Sequence, residues 1–361
     1  MFPVLQNKLY DTGVVLNDCV NLVVAGNYIL NTPVGPSATH DPVNYSCLCP
    51  MVMWKHVLDQ VLDYLDIDAE GDFITSNDLL KAFIPHSRSL DVPVKICGDK
   101  EWLAADRSFN LADFIPDWTI PDFLKALQKQ FNLAIYLNEV TGNLRLQTRD
   151  PIVKALSPHP KDISSICAPI DDDQIAPPEA TGIRLAATRD TRNQLAVDDE
   201  YILHEPNVEI VSDITQWSQQ SAAYLYTAGF TYLVPQAAIK KDNGIVPALL
   251  FYVNRNTVGS SVFSFPTGDI NRPDGTPFSF SAVGGMAATA WKAYLRFLYN
   301  RRKIPLVISF ELKDIKNIDW EKKVSPSLGV CCLISSIKVR FTMRGIERSK
   351  CELWTTNIGT L

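Results

Sequence analysis

Residues 115–148, IPDWTIPDFLKALQKQFNLAIYLNEVTGNLRLQT, are the best-specified unit of this chain. Thr119 is placed as a helix N-cap and Asp122, three residues on, completes a capping-box pair. Trp118 and Phe123 flank the cap where a hydrophobic staple packs. Pro121 falls in the first turn, where its missing N–H costs little. Phe123, Leu124, Leu127 and Phe131 form one apolar face, while Lys125, Gln128 and Lys129 point away. The spacing ends the helix near Asn132. The apolar period then drops to two: Leu133, Ile135 and Leu137 alternate with Ala134 and Tyr136. Asn138–Asn143 reads as a turn around Gly142, and Leu144-Arg145-Leu146 as the returning strand. The unit is a helix laid on a hairpin, and no chemistry is evident in it.

The totals bound the rest. A chain of 361 residues exceeds one typical core, so roughly two to four domains are expected. Hydrophobic residues make up 46% and charged residues 20%, enough for real cores beneath a thinly charged surface. A net charge of −6 argues against nucleic acid as the main ligand, since a phosphate backbone needs a basic face. No apolar run is long enough to span a membrane, and the start, MFPVLQNKLYDTG, lacks the charged-then-apolar order of a signal segment. The eight cysteines are scattered: Cys19, Cys47, Cys49, Cys97, Cys167, Cys331, Cys332 and Cys351. Reduced, buried thiols are the simplest account of them. Cys47 and Cys49 form a C-x-C without a second pair nearby, which is not zinc-knuckle spacing.

On either side of the helix–hairpin, the chain divides into four expected regions. Residues 1–100 form an α+β region, with a helix over Met53–Leu65 whose apolar side carries Trp54, Val57, Leu58, Val61 and Leu65. A shorter helix follows over Ser76–Phe83, capped by Ser76 or Asn77. Residues 101–165 hold the helix–hairpin. Residues 166–286 read as β-rich (GIRLAAT, EYILH, VEIVSDI, FTYLVPQAAI, ALLFYVN, SVFSF), a sandwich or barrel-like domain. Residues 287–361 carry a helix over Ala287–Arg302, with Trp291, Tyr294, Leu295 and Leu298, and then strands over Ile304–Leu312, Val330–Phe341 and Ile346–Thr356. The fold class is α+β, multidomain and β-rich.

Several constellations are candidate sites. Asp66, Asp68, Glu70 and Gly71 fit the opening of an EF-hand loop, but Asn77 stands where the bidentate Glu belongs, so a polar inter-helix turn is the simpler reading. Arg301-Arg302-Lys303 could bind phosphate, although cations at a helix C-terminus are explained by the helix dipole. Asp171–Asp173 reads as a solvated turn. His204-Glu205 begins like a zincin, but the second His is missing and Pro206 would break the helix. His40, His56, His86, His159 and His204 share no metal-ligand spacing. Glu209 and Asp213 are a carboxylate pair that folding could assemble, without any sequence signature favouring it. Trp217, Tyr224 and Tyr226 could form an aromatic row for glycans, or, at helical spacing, a core. No catalytic, cofactor-binding or metal-binding residue is therefore assigned, and no cofactor is expected.

Two stretches, GDFITSNDLLKAFI (71–84) and NLADFIPDWTIPDFLKALQKQFNLAIYLNEVTGNLRLQ (110–147), resemble in content and order the tail proteins of long-tailed phages and prophages of Bacteroides-like bacteria. The C-terminal part, WKAYLRFLYNRRKIPLVISFELKDIKNIDWEKKV (291–324), then CCLISSIKVRF and CELWTT, resembles the end of the same proteins. Two departures stand out. Asn132 occupies a position where that family often has Gly, and SPSLGVCC replaces a shorter turn. The resemblance implies a hub-like structural component of a tail tip or baseplate, not an enzyme. It implies a homo-oligomeric ring, a trimer by preference, that contacts distal tail protein, tape-measure protein and fibres in a virion tail assembled in the bacterial cytoplasm. A tail-associated cell-wall hydrolase and a host-glycan-binding tail protein are the alternatives.

Overall fold

The computed structural model describes residues 4–6, 17–19, 21–24, 27–30, 47–48, 52–84, 91–97, 100–105, 110–138, 140–155, 175–189, 198–216, 249–258, 261–266, 272–309, 318–324, 331–343 and 345–356. Among them the architecture is mixed α+β, with small sheets of two or three strands and short helices.

The first helix, α1 (Trp54–Leu65), buries Trp54, Leu58, Val61 and Leu62. Leu65, expected on the same face, is instead 41% exposed. It lies three residues beyond Leu62, at the end of the last turn, where Asp66 takes a left-handed C-cap at φ 53° and carries the chain away from the core. Strand β1 (Ala69–Glu70) follows, and then α2 (Asn77–Leu80), capped by the Ser76 hydroxyl accepting from the Leu79 amide at 3.2 Å. The expected helix over Ser76–Phe83 stops early because Ala82 and Phe83 leave it as β2 (Ala82–Phe83) and pair with a later strand.

Helix α3 (Ile120–Phe131) has the capping box that the sequence specifies: Thr119 accepts from the Asp122 amide and Asp122 accepts from the Thr119 amide, each at 3.3 Å. Trp54 of α1 lies against both aromatic residues of the expected staple, edge-on to Trp118 at 5.7 Å and stacked on Phe123 at 5.4 Å. Strands β3 (Leu133–Leu137) and β4 (Leu144–Thr148) form the antiparallel hairpin in the register Leu133↔Thr148 to Leu137↔Leu144. A short helix, α4 (Arg149–Lys154), follows directly.

Strand β5 (Gly182–Ala187) is the middle of a three-stranded sheet, antiparallel to β6 (Glu200–His204) and parallel to β7 (Val208–Ser212). Strands β8 (Leu250–Val258) and β9 (Ser261–Pro266) pair as a hairpin that also joins β2. No sheet among the described residues exceeds three strands, and the FTYLVPQAAI segment expected in the β domain lies outside them.

The single helix expected over Ala287–Arg302 is two: α5 (Met286–Thr289) and α6 (Lys292–Asn300). The cause is a diverted hydrogen-bond ladder. In a continuous helix the amides of Ala293 and Tyr294 would donate to the carbonyls four residues back. Here they donate to the buried carboxylate of Asp150, at 3.1 and 2.8 Å, while the Ala290 carbonyl accepts from Asn132 Nδ2 at 2.8 Å. Two side chains, Asn132 at the end of α3 and Asp150 in α4, thus replace backbone partners, and Asp150 caps α6 from outside.

The chain ends in an antiparallel sheet in which the last strand is central: β10 (Lys303–Ile308) and β11 (Cys332–Lys338) both pair with β14 (Ser349–Thr355). Between β11 and β14 the chain continues as a small hairpin of β12 (Phe341–Thr342) and β13 (Gly345–Ile346). One face of the main sheet builds its own core from Ile304, Leu306, Ile308, Val324, Cys332, Ile334, Cys351 and Leu353. Leu333 and Trp354, on the other face, join the principal core. That principal core takes side chains from 54–84, 123–153, 180–214, Leu249, 278–298 and Leu333, hence from all four regions laid out from composition.

Candidate interaction surface

The acidic turn with the partial EF-hand pattern clips onto the hairpin. Strand β1 runs parallel to β4 with Ala69 opposite Leu144 and Glu70 opposite Arg145, and the Asp68 carbonyl accepts from the Leu144 amide at 2.8 Å. Gly71 sits at φ 115°, and a Cβ there would lie 2.1 Å from the Leu146 carbonyl oxygen, so only glycine allows this approach. Asp72 accepts from the Thr148 amide at 2.9 Å and from its hydroxyl, fixing the far end of β4. Asp66 is a helix C-cap and Asn77 lies inside α2. The acids that a calcium loop would gather are spread along a docking seam. No group of three or more metal-ligating side chains occurs among the described residues.

A second junction ties the hairpin to the C-terminal region. Arg145 makes a two-pronged contact with Glu321, Nε to Oε1 at 2.5 Å and Nη2 to Oε2 at 2.8 Å, and reaches Glu70 at 3.3 Å. The Tyr136 hydroxyl donates to Glu321 at 2.7 Å and Asn138 Nδ2 to Glu70 at 2.6 Å. Hydrogen bonding to Asn138, with Arg145 adding, holds the Glu70 carboxyl below its ordinary range, while burial and then Glu321 push the Tyr136 phenol far up. The two carboxylates of this junction thus have their oxygens engaged by Asn138, Arg145 and Tyr136.

The remaining candidates are separated in the same way. Asp213 pairs with Lys129 at 3.0 Å and Glu209 with Arg184 at 3.5 Å, so the two carboxylates serve different cations. His204 ends β6 at φ 56° with its ring 5.0 Å from that of Tyr299, and the Glu205 carbonyl accepts from Thr181. In the basic cluster, Arg301 lies 4.0 Å above the Trp354 ring and Lys303 pairs with Glu352 at 2.9 Å, which leaves Arg302 exposed. His56 is exposed. His40, His86, His159, Asp171–Asp173, Trp217, Tyr224 and Tyr226 lie outside the described residues, as do the side chains of Cys47 and Cys49. Cys331 is exposed, whereas Cys332 and Cys351 are buried. Burial, helped by the two neighbouring thiols, pushes the Cys332 thiol up to about 12.

One shallow depression of about 370 Å³ is lined by Trp118, Asp122, Lys125, Lys129, Thr188 and Asp213. Its carboxylates are already engaged, Asp122 in the capping box and Asp213 with Lys129. The more distinctive surface is apolar. Met343 and Val283 are fully exposed, Tyr64 and Val140 are more than two-thirds exposed, and Phe341 is 65% exposed. Tyr64 lies off the expected apolar side of α1 and Val140 in the expected turn, so spacing places both outside; Phe341 ends a strand expected over Val330–Phe341, and the position of the hairpin is what exposes it.

In comparison with known proteins, no family model matches the chain and no curated protein is found similar to it.

Proposed function

We propose that the chain is a hub-like structural subunit of the tail tip or baseplate of a long-tailed phage or prophage. In this reading it is a multidomain α+β protein without a reaction centre. It assembles as a ring, a trimer by preference, and contacts distal tail, tape-measure and fibre proteins in the virion tail. One observation supports the reading beyond the sequence resemblance itself. The two stretches that carry that resemblance, 71–84 and 110–147, fold against each other as one unit, joined by β1 on β4, Gly71 against Leu146 and Asp72 on Thr148. The residues that carry the resemblance are therefore those that build one folded unit of this chain. Exposed apolar side chains such as Tyr64, Val140 and Val283 are suited to contact neighbouring subunits.

Sedimentation equilibrium of the purified full chain over a wide concentration range tests the proposal. A single mass near three copies is the expected result. A strict monomer of about the 40.3 kDa chain mass at every concentration would overturn the ring.

A further inference from the structure

The hairpin between β11 and β14 has a composition unlike the rest of the molecule. The described residues of 338–350, KVRFTMRGIERSK, carry the cations Lys338, Arg340, Arg348 and Lys350 and one carboxylate, Glu347, which pairs with Arg340 at 3.5 Å, in a chain whose net charge is −6; Arg344 lies outside the described residues. Lys338, Arg340, Arg348 and Lys350 are all exposed. Lys338 and Lys350 are register partners, a like-charge pairing that costs stability in a sheet. Beyond them, Phe341 pairs with Ile346 and Thr342 with Gly345, and Met343 begins the turn. Phe341 is 65% and Met343 fully exposed at this tip. Met343 lies five positions beyond Lys338, a span of up to about 16 Å at about 3.3 Å per residue.

Large apolar groups at the tip, with a collar of cations behind them, form the pattern that lies at a bilayer interface: the apolar groups enter the acyl boundary and the cations meet phosphate headgroups. We propose that the 338–350 hairpin is a membrane-surface finger that inserts Phe341 and Met343 into an anionic phospholipid bilayer. An acidic protein face would satisfy the cations but would make no use of the exposed apolar Phe341 and Met343. A nucleic acid would likewise use the cations and leave the Phe–Met tip idle. The finger goes beyond the tail-subunit reading and does not rest on it.

The test is co-sedimentation of the full chain with vesicles of phosphatidylcholine alone and of phosphatidylcholine mixed with phosphatidylglycerol. Binding is expected only to the anionic vesicles, and should fall steeply as salt is raised. Phe341→Ser with Met343→Ser should weaken it about tenfold or more, and Arg340→Gln with Arg348→Gln by a similar factor. Ile202→Ser, at an exposed apolar position on β6, should leave it unchanged. All of these side chains are exposed, and unchanged melting curves verify that the variants fold. Failure to bind anionic vesicles overturns the proposal. So does binding that survives loss of the Phe–Met tip, because that would be attraction to a cationic patch without insertion.

Discussion

The break between α5 and α6 can be tested by asking whether two foreign side chains hold it open. Asp150→Ala removes the acceptor of the Ala293 and Tyr294 amides in a buried setting. Two buried donors left unpaired cost about 2–4 kcal/mol, since each orphaned group costs about 1–3 kcal/mol and the helix end can partly relax. Asn132→Gly keeps the left-handed backbone, φ 56°, and removes only the amide that satisfies the Ala290 carbonyl, at a cost of about 1–2 kcal/mol. The double variant is the informative one. With both side chains gone, the Tyr294 amide and the Ala290 carbonyl are four residues apart and both unpaired, so they can bond to each other as in an ordinary helix. The double variant should be less destabilised than the sum of the singles by about 1 kcal/mol, one recovered backbone hydrogen bond. Urea denaturation followed by circular dichroism at 222 nm gives the three free energies, and the helical signal of the folded double variant should rise slightly. Strict additivity, or a double variant worse than the sum, would refute the ladder-diversion account.

Four further outcomes follow from the geometry. Arg145→Met should destabilise by about 1–3 kcal/mol, because Glu321, at 16% side-chain exposure, loses its two-pronged partner, and a double-mutant cycle with Glu321→Gln should give a coupling of similar size. The folded-state carboxyls of Glu70, Asp122, Asp274 and Glu352 are held below their ordinary values, so they contribute stability above about pH 4.5 that is lost as pH falls through their lowered folded values; the urea midpoint should drop from pH 4.5 downward, and Glu70→Gln should flatten part of that fall. Calcium should leave the melting temperature unchanged, because the acids of residues 66–72 form a seam on the hairpin; a rise with millimolar calcium would restore the EF-hand reading. At pH 8 an alkylating reagent should modify Cys331 promptly and Cys332 only on unfolding, as read by peptide mapping, since Cys332 is buried and burial pushes its thiol well above the ordinary range.

What the sequence made legible was local. The capping box at Thr119, the apolar face of α3 and the two strands of the hairpin are set by residues within a few positions of one another, and each is found where spacing places it. Asn132 could be read as a helix end but not as a partner of Ala290, 158 positions away. The split of the expected helix over Ala287–Arg302 was invisible for the same reason, because its cause is Asp150, in another segment. The acidic turn at 66–72 matched half of a ligand pattern; its docking role depends on the Leu146 carbonyl, which a linear reading does not place beside Gly71. The candidate carboxylates Glu209 and Asp213 were close in sequence, yet each is held by a cation from a different element, Arg184 on β5 and Lys129 on α3.

The central claim is that this chain is a building block of a phage tail tip, and a density map of intact particles released from a strain that encodes it tests that claim most directly. The account predicts a closed ring of copies at the distal end of the tail tube, with the 71–84 and 110–147 unit recognisable in each. Particles that carry no density for this chain, or a tail tip fully built from other proteins, would contradict it.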